Sequence, residues 1–127
     1  DGTIRAFGDN CCGQLGDGTT TDHSTPITVP GITGAMSAAC GYTHALIVMS
    51  DGTVRAVGAN GLQQLGNGTT VSSYAIIAVP GITNAKSVAC GLHTSAVLLT
   101  DGSLRLFGDI YFGEQDEYGH ARVTCEV

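Results

Sequence analysis

The sequence predicts an all-β protein, a partial β-propeller built of antiparallel four-stranded blades. Three observations support this prediction. The sequence repeats with a period of 50 residues, each repeat holds several short strand-like segments, and no stretch combines helical spacing with a capping residue. Four short strands in a repeat of roughly 40 to 50 residues are typical of a propeller blade.

The repeat is too strong to arise by chance. Of the 50 paired positions of residues 1–50 and 51–100, 24 are identical. The third copy holds from Asp101 to Asp109 and then decays. The recurring segments are Asp1–Gly8 with Asp51–Gly58 and Asp101–Gly108, Gln14–Thr20 with Gln64–Thr70, and Val29–Thr33 with Val79–Thr83.

Four segments of the first repeat have strand patterns. Thr3–Gly8 alternates between two faces, and so does Ile27–Val29. Ala35–Cys40 is small and apolar, whereas His44–Met49 is an almost continuous apolar run, as expected of a strand buried on both faces. Asp-Gly, Asn-Gly and Pro-Gly pairs lie between the segments and favour tight turns.

Length, composition and charge exclude several classes of protein. A chain of 127 residues allows one domain, and no apolar run approaches the roughly 20 residues that a membrane-spanning helix needs. Apolar content is 43% and charged content 13%, which argues against disorder. Eleven acidic residues against five basic ones argue against a nucleic acid partner. We therefore expect a protein partner or other copies of the chain itself, no nucleic acid, no membrane and no cofactor.

The cysteines are odd in number, so they cannot all pair within one chain. Cys40 and Cys90 lie among apolar residues and are predicted to be small buried core residues. Cys11 and Cys12 are adjacent in a loop and could form a reactive pair, or a soft metal site with His23, although no CxxC spacing supports it. The fifth cysteine is Cys125. This pattern leans towards a reducing, cytoplasmic compartment.

Several short motifs recur in a fixed order: Asp-Gly-x-Val/Ile/Leu-x-x-Phe/Val-Gly, Gln-Leu-Gly-x-Gly, Val-Pro-Gly-Ile and Ala-Cys-Gly. In this order they resemble the regulator of chromosome condensation repeat, over residues 1–109. The position where that family usually has Trp holds Phe7, Val57 and Phe107. The usual His after Cys-Gly is His44 in the first copy, whereas the second copy has Thr94 there, with His93 one place earlier.

The resemblance implies how the strands are ordered within each blade. The Asp-Gly segments would be third strands. The innermost strands would be Ala35–Cys40 and Ala85–Cys90, the second strands His44–Met49 and Ser95–Leu99, and the outermost strands Ile27–Val29 and Ile76–Val79.

On that order the single domain divides into a half blade (residues 1–34), a blade (35–84) and a blade with a degenerate terminal capping segment (85–127). Its last strand would be Ala121–Glu126. A propeller of this family has about seven blades, so this chain cannot close one alone. We expect the half blade to be completed by other copies or by a missing part of a longer chain; a small closed or oligomer-completed propeller is the alternative.

The segment that departs most from the repeat is the candidate partner contact. It is acidic and comprises Glu114, Asp116, Glu117 and Tyr118. Its simplest interpretation is a solvated loop.

Two histidines have acid–base or metal-binding potential by type, His44 and His93. Single histidines near inner strands are more often structural and hydrogen-bonded. His23 and His120 are predicted to lie in a loop and in the tail, facing solvent.

Repeated charged residues are predicted to be structural. We expect Arg residues at equivalent positions to bond backbone carbonyls between blades, and Asp residues before each Gly to form turns. These residues are Arg5, Arg55 and Arg105, and Asp1, Asp51 and Asp101.

The function these observations favour is a non-enzymatic protein-interaction module. Two alternatives remain open. A propeller enzyme would place its site near the central channel and would draw on His44 and His93. A purely structural, self-assembling ring would have other copies as its only contacts, which near-identical repeats favour.

Overall fold

The structure, a computed structural model, describes residues 1–110 and 115–124, and every regular element in them is a strand. None of these residues belongs to a helix long and apolar enough to cross a membrane. The strands are β1 (Arg5–Gly8), β2 (His23–Thr28), β3 (Ala35–Cys40), β4 (His44–Met49), β5 (Val54–Gly58), β6 (Ser73–Ala78), β7 (Ala85–Cys90), β8 (Thr94–Leu99), β9 (Ser103–Gly108) and β10 (Ala121–Thr124).

The ten strands form three antiparallel sheets. We call the two-stranded sheet β1-β2 the half blade, the four-stranded sheet β3-β4-β5-β6 the middle blade, and the sheet β7-β8-β9-β10 the last blade. In both complete blades the strands follow chain order, and β3 and β4 lie against β7 of the next sheet. The predicted fold class, a half blade and two four-stranded blades, is confirmed.

The turn into each third strand is built by the Asp-Gly pair, as the sequence predicts. Oδ1 of Asp51 accepts hydrogen bonds from the backbone N–H of Thr53 at 3.0 Å and from its hydroxyl at 2.6 Å. Asp1 and Asp101 bond the residue two places on in the same way. These carboxylates hold turns and are not gathered into one site.

The loop between the third and fourth strands is held by one buried asparagine. Asn60 donates from Nδ2 to the carbonyls of Thr69 and Val71 at 2.9 and 3.0 Å and accepts from Leu65 N–H at 2.9 Å. Asn10 makes the equivalent bonds in the first repeat. The side chain thus provides partners for loop backbone groups that have none in a sheet.

The second strand of the middle blade, β4, separates two hydrophobic clusters. Leu46 and Val48 face the last blade and pack in a cluster that includes Phe107. Ile47 and Met49 face the half blade and pack in the other cluster. The alternation confirms that β4 is buried on both faces, as its apolar run predicts.

Three residue-level predictions are wrong. Cys40 is exposed, because β3 is an innermost strand and nothing in the half blade covers its face; Cys90 is half-buried and packs against the core. His23 lies in β2, where its Nε2 is 2.9 Å from Oδ2 of Asp17. His120 is buried, not solvent-facing.

Candidate functional site: the open half blade

One edge of β1 has no partner strand among the described residues. β1 pairs with β2 alone, with Arg5 opposite Thr28 and Ala6 opposite Ile27. The carbonyl of Ile4 accepts from Val29 N–H at 2.9 Å. Because backbone groups in an antiparallel ladder point alternately to the two sides, the N–H and C=O of Arg5 and Phe7 point to the open edge.

A cavity of about 490 Å³ lies beside this edge, between the half blade and the middle blade. We call it the open groove. Its walls carry Ile4 and Ala6 from the half-blade side and Ala45 and Ile47 from β4. Cys40, predicted to be buried, also lines it. The lining is mainly apolar, and an apolar groove beside an unpaired strand edge is suited to accepting another strand.

The next repeat shows how the same position looks when it is filled. The equivalent third strand β5 is paired on both sides, with Ala45 of β4 opposite Val57. A Cβ at Gly58 would overlap the carbonyl oxygen of Thr43, the residue before β4, whereas a Cβ at Gly8 would meet nothing within 4 Å. The open groove therefore occupies the space that first and second strands fill in the middle blade.

His44 lies at the junction of the middle and last blades. It is 1% exposed, and its Nε2 lies 3.2 Å from the carbonyl oxygen of Thr94 and 3.0 Å from Oγ of Ser95. Burial lowers the pKa of His44; the hydrogen bond to the Thr94 carbonyl opposes this effect, and the neighbouring His93 adds to it. These contacts give His44 a structural role across the seam between blades.

His93 lies in the loop before β8, and its ring stacks on the exposed Tyr42 with centroids 6.1 Å apart. Tyr42 N–H also donates to the carbonyl of Leu92 at 3.1 Å, which links the inner loops of the two blades. The two histidines that the enzyme alternative needs thus lie on neighbouring blades.

The acidic segment turns towards the middle blade. Oδ1 of Asp116 accepts from the backbone N–H groups of Tyr118 and His120 at 2.9 and 3.0 Å. The Tyr118 ring lies close enough to Gly81 that a Cβ there would be 3.1 Å from it. Glu117 is exposed. Glu114, the fourth residue of the predicted contact, lies outside the described residues.

Two hydrogen bonds join the last blade to the middle blade, and the sequence predicted only the second of them. His120 donates from Nε2 to the carbonyl of Gly66 at 2.7 Å, and its ring stacks on Phe107 with centroids 4.7 Å apart. Arg105 donates to the carbonyl of Gly81 at 3.1 Å, as predicted for the repeated arginines; within the described residues Arg5 and Arg55 make no such bond. No repeated motif marks His120, because its copy departs from the repeat.

The sulfur atoms of Cys11 and Cys12 lie 3.4 Å apart in the loop after β1. His23, the third ligand of the predicted soft metal site, is engaged with Asp17. Residues 1–110 and 115–124 contain no group of three His, Cys, Asp or Glu side chains placed to hold a metal ion.

Acid is expected to loosen the seam between the middle and last blades. Burial lowers the pKa of both His44 and His120 in the folded chain. Since the unfolded chain then binds more protons, the free energy of unfolding should be flat above about pH 7.5 and fall as the pH drops through about 6.5. Urea unfolding at pH 7.5, 6.5, 5.5 and 5.0 measures this. A His44→Gln/His120→Gln variant should lose most of the slope; an unchanged slope in that variant would refute the assignment.

Comparison with known families and structures agrees with this architecture. The family described as Regulator of chromosome condensation (RCC1) repeat matches residues 1–48, and a second profile of the same repeat matches residues 37–64. Together they cover residues 1–64, half of the 127-residue chain. These matches show that residues 1–64 carry repeats of this family, as their motifs predict. No curated protein sequence matches the chain.

Solved structures share the fold at low identity. Human WBSCR16 aligns with a TM-score of 0.74 and 23% identity, over 84% of this chain and 28% of that one. Yeast RCC1 (Prp20) bound to Kap60 aligns with a TM-score of 0.70 and 22% identity, over 97% and 32%.

Prp20p from Saccharomyces cerevisiae, described with its binding to Gsp1p and histones, aligns with a TM-score of 0.65 and 24% identity, over 96% and 33%. The chain spans about a third of the length of these proteins or less. At these identities the likeness concerns the fold.

Proposed function

We propose that the chain is a non-enzymatic protein-interaction module of propeller repeats that acts by accepting two further inner strands into the open groove. The observation that carries the proposal is the unpaired edge of β1 beside an apolar cavity of about 490 Å³. The blade boundaries at residues 34 and 84, and completion of the half blade from outside the described strands, are parts of this proposal.

The added strands would bind by pairing their backbone with β1. The open N–H and C=O groups of Arg5 and Phe7 supply affinity, and the apolar walls supply the pockets for alternate side chains. By analogy with β4 and β5, the incoming second strand would run antiparallel to β1 and place a carbonyl over Gly8. The partner's chemistry is therefore that of β3 and β4: small residues in the first strand and a continuous apolar run in the second.

A missing part of a longer chain or a different protein supplies such strands more readily than a second copy does. At its open edge each copy offers β1, which is a third strand. Two copies joined through β1 would form a four-stranded sheet with no innermost strands. Pairing of copies is thus a distinct outcome, visible as a dimer by light scattering.

A synthetic hairpin tests the proposal. A peptide with the sequence of residues 34–50, carrying Cys40→Ser, imitates the first and second strands. We expect saturable, one-to-one binding by titration calorimetry, and binding weaker by about 100-fold, or about 2.7 kcal/mol, with Gly8→Ala. The reason is that a Cβ at this position would overlap the incoming carbonyl, as at Gly58.

A second variant separates loss of peptide binding from a folding defect caused by Gly8→Ala. Phe7→Pro removes one N–H from the open edge and leaves the bonds to β2 in place. Its matched control is Phe7→Val, which copies Val57 of the next repeat. Proline should weaken peptide binding and valine should not. Absence of binding to the wild-type chain, or equal binding by all variants, would overturn the proposal.

A further inference from the structure

The adjacent cysteines Cys11 and Cys12 are an addition that the fold does not require. The second repeat builds the same turn with Gly61 and Leu62. In both repeats the second residue of the pair donates its N–H to a glutamine Oε1. The distance is 2.9 Å from Cys12 to Gln14 and 2.8 Å from Leu62 to Gln64. Because the turn forms equally well without sulfur, its stability does not explain the cysteines.

The two thiols are placed to hold one atom between them. Their sulfurs are 3.4 Å apart, Cys11 is exposed, and Cys12 is half-buried. A direct disulfide is disfavoured, since adjacent Cα atoms across a trans peptide are about 3.8 Å apart, below the roughly 4.4–6.8 Å that disulfides usually span. A bridging soft atom does not impose that short S–S bond.

The state of the Cys12 thiol and the side chains around the pair limit the class of ligand further. Burial and the contact with Cys11 raise the pKa of Cys12, so this sulfur is held as a thiol and exchanges slowly with disulfides. Since His23 bonds Asp17 and the described residues hold no three-ligand cluster, the centre must be satisfied by two sulfurs. Soft, sulfur-seeking elements suit such ligands.

We propose that Cys11 and Cys12 form a bidentate site for a trivalent arsenical, a metalloid centre with two positions open to sulfur. With an arsenic oxide, R–As=O, both S–H bonds and the As=O bond break and two S–As bonds form. The oxygen leaves as water with the two thiol protons. Arsenic stays trivalent, so no oxidant or reductant takes part.

Phenylarsine oxide is the probe. The matched control is Cys11→Gly/Cys12→Leu, which copies the second repeat and keeps Cys40, Cys90 and Cys125. Native mass spectrometry should show one adduct, with loss of one water, on the wild type and none on the control at the same concentration. Thermal unfolding should be the same for both chains, because the turn keeps its hydrogen bonds.

Single substitutions test the requirement for two sulfurs. Cys12→Ser should weaken retention of the arsenical by about 100-fold, since the second S–As bond forms intramolecularly at high effective concentration. Cys90→Ser should leave it unchanged. Equal adduct formation by wild type and the double variant would place the site at other cysteines and overturn the proposal. A wild-type chain that forms no adduct, or that closes to a disulfide with diamide while rejecting the arsenical, would also overturn it.

Discussion

Phe107→Ala is expected to lower the free energy of unfolding by about 3–5 kcal/mol, whereas Phe7→Ala should change it by about 0.5 kcal/mol or less. The two residues hold equivalent repeat positions, yet Phe107 is 0% exposed and Phe7 is 64% exposed. Phe107 fills the seam between the last and middle blades, where its ring stacks on His120. Phe7 lies beside the open groove and has no such seam to fill.

Urea unfolding followed by circular dichroism measures both effects. An intermediate control is Phe107→Leu, which keeps most of the volume and should cost about 1–2 kcal/mol. If Phe7→Ala were as damaging as Phe107→Ala, the first repeat would be packed against something, and the open half blade would be an incorrect description.

Gly58→Ala is expected to destabilise the chain more than Gly8→Ala does, by about 3 kcal/mol. Both glycines have left-handed backbone, with φ of 112° at Gly58 and 116° at Gly8, so both substitutions carry similar strain of about 1–3 kcal/mol. The difference comes from the neighbouring strand. A Cβ at Gly58 would overlap the carbonyl of Thr43, and a Cβ at Gly8 would point into open space.

The third copy provides a check on this pair. A Cβ at Gly108 would overlap the carbonyl of His93, so Gly108→Ala should behave like Gly58→Ala. Thermal unfolding of the three variants under identical conditions ranks them. Equal losses at all three positions would show that backbone strain alone decides the cost and that a missing strand has no influence at Gly8.

The fold could be predicted from the sequence because each repeat contains the same order of strand-like segments and turns. β3, β4 and β7 begin and end at the predicted residues, since each combines a compact apolar run with a clear turn on both sides. β2 and β6 begin several residues before their predicted start. Their first residues are polar or exposed and pair with Gly8 and Gly58 across a bulge, which no alternation of apolar residues reveals.

Burial was harder to predict than strand position, since it depends on which blade stands next to each strand. Cys40 and Cys90 both lie in an Ala-Cys-Gly segment, but only Cys90 packs against a hydrophobic cluster. His120 lies outside any repeated motif. It is buried at the seam between the last and middle blades, where its Nε2 bonds the carbonyl of Gly66. The repeat pattern predicts which segments form a blade. Which side chains are buried between blades follows only from how the sheets pack against each other.

The candidate site was predicted in outline. The unfinished half blade follows from the length of the chain and the resemblance, but the groove and its lining depend on the placement of β1 against β4. The predicted acidic contact is only partly described. Its residue Tyr118 lies against Gly81 of the middle blade, whereas Asp116 bonds the backbone of its own turn. Whether that segment also contacts a partner stays a prediction.

Amide hydrogen exchange at the edge of β1 tests the central claim most directly. In the chain alone, the N–H groups of Arg5 and Phe7 should exchange quickly, while those of Arg55 and Val57, paired with β4, should be protected. Addition of the hairpin peptide should protect these two N–H groups in the wild-type chain. In the Gly8→Ala variant it should leave their exchange unchanged. Protection of Phe7 in the chain alone, or none after saturation with the peptide, would contradict a half blade that is open and completed by added strands.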